Sequence, residues 1–354
     1  MRWAPQQIDD DHALLPMRGL IRSVRTPDFA GVTFHEVACK SALNKVPGNS
    51  RMPFRWTINP TRGCLHRCTY CFARKTHEYL DLDSGDDFDT QIVVKTNIVD
   101  VLRAELSRPS WNREHVALGT NSDPYMRAEG RYRLMPGIIE ALAQSATPFS
   151  ILTKGPLLRR DLPLLARVAP ETQVGVSLAF TDPGLQQRVE PGTPPPRARL
   201  DLIRAVREAG LDCHVLAMPI LPWLTDGEEH VEELFTAIRD AGAGWVSAGP
   251  LHLRSGAREW FMGWLAAERP DLVGRYRRLY GGSAYVSDTY ARWLSARVDG
   301  LRSRLGFIRP PHPGSDPERH DDGAREDRWQ RSPGRAASVR HAPAGPTATQ
   351  PALF

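Results

Sequence analysis

The stretch that decides the fold runs Asn59-Pro60-Thr61-Arg62-Gly63-Cys64-Leu65-His66-Arg67-Cys68-Thr69-Tyr70-Cys71-Phe72-Ala73-Arg74. Its cysteines follow the spacing Cys-x-x-x-Cys-x-x-Cys. Thiolates ligate zinc and iron–sulfur clusters, and closed sites of either kind usually take four protein ligands. Three imply a centre with one position left open. On a continuous helix Cys64, Cys68 and Cys71 would share a face but spread over roughly 10 Å, at about 1.5 Å per residue, too long a column for one compact cluster. Pro60 and Gly63 disfavour a helix start before Cys64, so the segment reads as a loop. A buried cysteine stripe on a core helix is disfavoured by Gly63 and by the flanking Arg62, Arg67 and Arg74. A zinc site with His66 or His77 as fourth ligand stays open at this point.

Outward from the loop, short apolar runs alternate with helical ones. Strands are expected over Trp56–Asn59, His115–Gly119, Phe149–Thr153, Gln173–Ala179, Asp212–Met218 and Trp245–Ala248, each bounded by Gly, Pro or polar breaks. Helices are expected over Thr69–Leu80, Ile98–Ser107, Met135–Ser145, Leu157–Val168, Pro196–Ala209 and Glu228–Ala241, with Gly210 and Gly242 placed as C-terminal caps. Six such repeats imply an α/β fold with a parallel sheet of βαβ units, too few for a closed eight-fold barrel. In barrels of this kind chemistry sits on loops at the C-terminal ends of strands, which puts Cys64–Cys71 and Asn121–Tyr125 on one face. A doubly wound sheet remains compatible with the periodicity.

The three cysteines with Tyr70 before the third, the run Cys71-Phe72-Ala73-Arg74-Lys75-Thr76-His77-Glu78-Tyr79-Leu80 and the run Gly119-Thr120-Asn121-Ser122-Asp123-Pro124-Tyr125 resemble the spore photoproduct lyase-like branch of the radical S-adenosylmethionine (radical SAM) superfamily. The resemblance covers about residues 55–300. It implies a partial (βα)6 TIM-type barrel and an enzyme using a 4Fe-4S cluster on Cys64, Cys68 and Cys71. The fourth iron would bind S-adenosylmethionine, and reductive cleavage would release a radical that abstracts a substrate hydrogen. It further implies an electron donor such as flavodoxin or ferredoxin, and a nucleic acid as one candidate substrate. By the same resemblance Asn121, Ser122 and Asp123 face the cofactor's amino group, Lys154 its carboxylate and Ser177 its ribose, while Tyr70 lies beside whatever the cluster binds. Glu190 and Arg197, flanking Pro194-Pro195-Pro196, are weaker candidates. After Tyr125 the branch's usual Gln-Pro pair is missing, although Glu129 matches its acid. The branch's lyase uses a further cysteine as hydrogen donor, and this chain has no cysteine between 72 and 212. The rival reading is a non-catalytic zinc or iron–sulfur nucleic-acid-binding protein.

The domain boundaries expected are an N-terminal extension over 1–50, the radical SAM core with terminal helices over 51–308, and a disordered tail over 309–354. Residues 310–354 hold eight prolines and balanced charges, six arginines against six acids, with almost no large apolar side chain to offset chain entropy. The net charge of +5 is carried by 41 arginines and 5 lysines, a bias that reads as composition rather than as a nucleic-acid surface. Locally, residues 40–77 hold eight Lys or Arg and no acid, and residues 78–89 hold six acids and no base. Compensating solvated loops, cations offsetting a thiolate-ligated cluster, and a rim for an anionic substrate all fit that pattern. No apolar signal region opens the chain, and Val215–Leu224 is short and broken by Pro219 and Pro222, so a cytoplasmic, reduced protein without a membrane span is expected.

Overall fold

The computed structural model describes residues 17–47, 52, 54–168 and 172–308. Among these residues eleven strands form two sheets: β1 (Leu20–Val24), β2 (Thr33–Val37), β3 (Leu43–Lys45), β4 (Trp56–Ile58), β5 (Thr61–Arg62), β6 (Gln91–Lys95), β7 (Val116–Leu118), β8 (Phe149–Thr153), β9 (Thr172–Ser177), β10 (Cys213–Ile220) and β11 (Trp245–Pro250). The larger sheet has the order β11-β10-β9-β8-β7-β4-β3. All its pairs from β4 to β11 are parallel, and β3 closes one edge antiparallel to β4. From β4 the order advances in one direction and never reverses. A doubly wound sheet needs a reversal, where its ligand crevice forms. The sheet also ends on two unpaired edges. It is therefore the expected partial (βα)6 barrel, and its six strands lie where the apolar runs placed them.

Helices follow the strands in turn: Ile98–Leu106, Met135–Gln144, Leu162–Arg167, Pro196–Glu208, Glu228–Asp240 and, after β11, Ala257–Glu268, Pro270–Tyr280 and Asp288–Arg304. Each of the long ones buries a stripe at helical spacing, as with Val231, Leu234, Phe235 and Ile238. The expected helix over Thr69–Leu80 is corrected: a 3-10 helix covers Phe72–Leu80 only, starting after the third cysteine. The residues before it make separate turns, with the Arg67 N–H on the Cys64 carbonyl and the Cys71 N–H on the Cys68 carbonyl.

The smaller sheet, of order β1-β2-β6-β5, did not emerge from the sequence. It joins residues 20–37 to the cysteine loop, because β6 pairs parallel with β2 and antiparallel with β5. Glu105 holds the next segment down by accepting the Ala42 and Leu43 N–H groups at 3.0 and 2.9 Å. The expected tail over 309–354 lies outside the described residues. Among those described, no helix is long and apolar enough to cross a membrane.

The main core lies between the strands and the helices that follow them, as where Val231, Leu234, Phe235 and Ile238 join Val215, Ala217 and Val246. A second, smaller core sits on the loops after β9, β10 and β11, built from Phe180, Leu185, Val189, Leu221, Leu251, Leu253, Phe261, Leu265, Tyr276 and Tyr280, with Tyr70 packed against its edge. It roofs the C-terminal rim of the strands.

Candidate active site

In register the parallel strands start together, Trp56 beside Val116 beside Phe149 beside Thr172, so their C-terminal ends share one rim. The cysteine loop leaves this rim after β4 and β5. Gly63 sits at φ +80°, where a Cβ would come within 2.9 Å of the Phe88 carbonyl, and the next N–H, of Cys64, bonds that same carbonyl at 3.0 Å. Opposite, the Thr69 N–H bonds the Val189 carbonyl and the Gly192 N–H bonds the His66 carbonyl. A Cβ on Gly192 would stand 2.0 Å from the Leu65 carbonyl oxygen, so only glycine allows that approach.

All three thiols are free of disulfides; Cys64 and Cys68 are buried and Cys71 is half-buried. Burial, followed by the Asp123 charge, pushes the Cys64 thiol up to about 12, and burial raises Cys68 and Cys71 as well. Cys64 and Cys71 also raise Cys68, so the loop brings the three sulfurs within electrostatic reach of one another. Three thiols that resist ionisation alone become thiolates readily when a metal cluster replaces their protons. The donor set thus fits three corners of a 4Fe-4S cluster. It does not present a mononuclear zinc shell: His77 Nε2 lies 2.9 Å from the Gln91 carbonyl oxygen, and His66 Nδ1 lies 3.3 Å from Asp123 Oδ2. Among the described residues no three His, Cys, Asp or Glu side chains converge as a single ion requires.

Beside the loop, at the ends of β8 and β9, lies a buried polar cluster. Lys154 Nζ donates to Ser177 Oγ at 2.7 Å and stands 3.9 Å from Glu190 Oε1. Glu190 is fully buried, accepts the Tyr70 hydroxyl and pairs with Arg199 Nη2 at 2.5 Å. Arg199, equally buried, also donates to Thr193 Oγ1, Pro194 O and Ser177 O. Burial alone would raise Glu190, but Arg199 and then Lys154 outweigh it and hold the carboxyl below its ordinary value. For Lys154 burial pulls downward, and Glu190 and Cys68 more than compensate, so the ammonium is held charged.

Of the residues singled out from sequence, Tyr70, Lys154, Ser177 and Glu190 meet in this cluster. Arg197 does not: it is exposed, and Arg199 one half-turn on takes the inward position. Asn121, Ser122 and Asp123 do lie on the rim after β7, where Gly119 at φ +91° passes so near β8 that a Cβ would be 2.0 Å from the Leu152 carbonyl oxygen. Two of these three side chains are already engaged. Ser122 Oγ exchanges hydrogen bonds with Thr61 Oγ1 and Thr61 O. Asp123 accepts from Thr153 Oγ1 and from the N–H groups of Tyr125 and Lys154. Glu129 accepts the Leu134 and Met135 N–H groups at the start of their helix and pairs with Arg160 at 2.7 Å.

Among the described residues the basic run of 40–77 forms no continuous rim. Lys45 and Arg55 stand at the start of β4, the opposite end of the barrel from the thiols, because Lys45 pairs with Trp56. Arg62 is partly buried, Arg67 faces Asp89 at 3.9 Å, and Arg74 is fully buried against Asp89, Cys68 O and Gly85 O. Arg51 lies outside the described residues.

Comparison with known proteins bears directly on this centre. An uncharacterized protein of Mycobacterium tuberculosis is 58% identical over 326 residues, covering 88% of this chain and 96% of that one. An uncharacterized protein of Methanocaldococcus jannaschii is 26% identical over 200 residues, covering 56% of this chain and 71% of that one. Among solved structures the fold is similar to spore photoproduct lyase complexed with dinucleoside spore photoproduct, at a TM-score of 0.60 and 17% identity over 77% of this chain and 79% of that one. The sequence model of the radical SAM superfamily matches residues 58–236, which include the last residue of β4, the cysteine loop and the barrel strands β7 to β10, and the chain belongs to that superfamily.

Proposed function

We propose that Cys64, Cys68 and Cys71 hold the 4Fe-4S cluster that enzymes of this superfamily use with S-adenosylmethionine, and that the rim beside them is where a substrate loses a hydrogen atom. The observation that carries this reading is the meeting of three otherwise non-ionising thiols with the Lys154–Ser177–Glu190–Tyr70 cluster on one rim. Held there and reduced by a donor such as flavodoxin or ferredoxin, the cluster would supply the one electron that splits S-adenosylmethionine into methionine and a 5′-deoxyadenosyl radical.

The protein's own residues bind and exclude. The Lys154 ammonium, held charged by Glu190, is placed for a carboxylate, and the Ser177 hydroxyl for a ribose. Asn121, whose backbone N–H is fixed on Asn59 Oδ1 at 3.1 Å, is the loop residue left to meet an ammonium, since Ser122 and Asp123 are engaged. Arg199 braces Glu190 from behind, so that the rim keeps its charge pattern without water. The second core above the rim shields a radical from solvent. For the substrate, a nucleic acid is supported by the fold shared with a lyase solved with a dinucleoside photoproduct.

Anaerobic reconstitution followed by reduction and chromatography for 5′-deoxyadenosine tests the reading. Product from wild-type protein and none from Cys68→Ala is expected. Equal product from both, or none from either at full iron content, contradicts it.

A further inference from the structure

The loop after β10 carries an exposed tryptophan that the radical site does not use. Trp223 is 39% exposed and sits at φ +60°, a left-handed conformation that bulky side chains rarely adopt. The conformation is held from both sides. The Trp223 N–H donates to Asp226 Oδ1 at 2.8 Å, and Asp226 Oδ2 accepts the Tyr290 hydroxyl at 2.7 Å. Tyr276 packs edge-on at 5.6 Å between centroids, with its hydroxyl fixed on the Pro222 carbonyl.

One cation faces the ring, and a second lines the same cleft. Arg275 lies 6.0 Å from its centroid, and Arg275, Arg278, Leu279 and Ser287 line with Trp223 an open cleft of about 450 Å3. That volume falls in the ordinary range for a small ligand, roughly 300–1,000 Å3. Arg275 and Arg278 share a face of the helix Pro270–Tyr280, and among the described residues neither has an acid at ion-pair distance, although Asp271, one turn before Arg275, feels its charge. The acids of the neighbourhood are committed or apart: Asp271 to Arg269 at 2.7 Å, Glu228 to Arg297 at 3.8 Å, with Asp288 at the head of the last helix. A second exposed tryptophan, Trp293, continues the surface beyond Tyr290 and carries Arg297 at 4.8 Å over its ring.

We propose that this cleft binds single-stranded nucleic acid, Trp223 stacking on a base while Arg275 and Arg278 hold the flanking phosphates. An acidic peptide would need the arginines but not a strained, presented indole. A base needs the ring face and its phosphates need unpaired cations. The place suits delivery to the radical site, because Tyr276 belongs to the same small core against which Tyr70 of the cysteine loop packs. The inference rests on the nucleic-acid reading of the substrate above and names the surface that holds it.

The test is fluorescence anisotropy with a labelled twelve-nucleotide oligothymidylate on the reconstituted protein, titrated with salt. Trp223→Ala weakens binding at least about fivefold, since stacking on one base is worth about 1–3 kcal/mol. Trp223→Phe keeps most of it. Arg275→Gln with Arg278→Gln lowers the slope of log affinity against log salt by about 1.4, at about 0.7 per phosphate on a single strand. Arg204→Gln with Arg239→Gln, on outer helices, removes the same charge and leaves the slope within about 0.3 of wild type. Melting temperature and iron content confirm that each variant folds; if Trp223→Ala does not, the arginine pairs decide. No binding at low salt, equal losses in the two arginine pairs, or binding to phosphatidylserine vesicles instead of the oligonucleotide overturns the proposal. Its failure is separate from that of the catalytic reading, which is decided by nucleoside product formed without any oligonucleotide.

Discussion

Replacing Glu190 by Gln removes the carboxylate that the fully buried Arg199 pairs with and that Lys154 faces at 3.9 Å. In the native protein Glu190 accepts from Tyr70 and from Arg199 at 2.5 Å, and both members of the ion pair are fully buried. Glutamine keeps the shape and one acceptor but leaves the Arg199 guanidinium without its carboxylate out of water. Breaking a buried pair from one side costs about 3–5 kcal/mol, mostly the burial of the orphaned charge. At about 2–4 °C per kcal/mol for a domain of this size, the melting temperature at pH 7 falls by roughly 6–20 °C. The sign with pH follows from the depressed carboxyl: the stabilisation is fully present above the unfolded value of about 4.3 and is lost only as pH falls through the lower folded value. Circular dichroism melts of Glu190→Gln, Arg199→Met and the double variant form the assay. The double variant, which has no orphaned guanidinium, melts above Glu190→Gln alone. A Glu190→Gln melting point within about 2 °C of wild type, or strictly additive losses in the double variant, refutes the reasoning.

Three further outcomes follow from other parts of the molecule. Alanine at Cys64, Cys68 or Cys71 abolishes bound iron and sulfide, whereas alanine at Cys39 or Cys213 leaves both at wild-type levels. Gly192→Ala, whose new methyl would meet the Leu65 carbonyl at 2.0 Å, pushes the cysteine loop aside and lowers iron retention after desalting, with the helix content unchanged. His214, partly buried with Nε2 3.0 Å from Ser247 Oγ, has its imidazole pushed down to about 4 by desolvation and by Arg302. The unfolded imidazole, near 6.5, takes up a proton first as pH falls, so wild type loses about 2 kcal/mol between pH 7 and pH 5 through this group, and His214→Gln removes that part of the difference measured by urea melts.

The barrel was legible because each of its strands is a short apolar run with its own Gly or Pro boundary, and the cysteine spacing carries its chemistry without help from the rest of the chain. The small sheet was not. β5 is two residues long, and β6, Gln-Ile-Val-Val-Lys, follows directly on the acidic run that drew the reading toward a solvated loop. Arg199 was missed although a signal existed: it lies three, four and seven residues before Leu202, Ile203 and Val206, on the buried stripe of its helix. An arginine on that stripe must have a buried acid to meet, and Glu190 is that acid. The engagement of Ser122 and Asp123 could not be read locally, because their partners Thr61 and Thr153 come from other strands. The three readings left open for the basic run from 40 to 77 could not be separated in sequence for a geometric reason: β4 lies between Lys45 and Arg55 at one end of the barrel and Arg62, Arg67 and Arg74 beside the cysteine loop at the other.

Electron paramagnetic resonance of the reduced protein, recorded without and with S-adenosylmethionine, tests the central claim most directly, because it reads the iron that the three cysteines leave open. The account predicts the signal of a reduced 4Fe-4S cluster that changes on adding the cofactor and is absent in Cys68→Ala. A reduced cluster whose spectrum is the same with and without S-adenosylmethionine would contradict it.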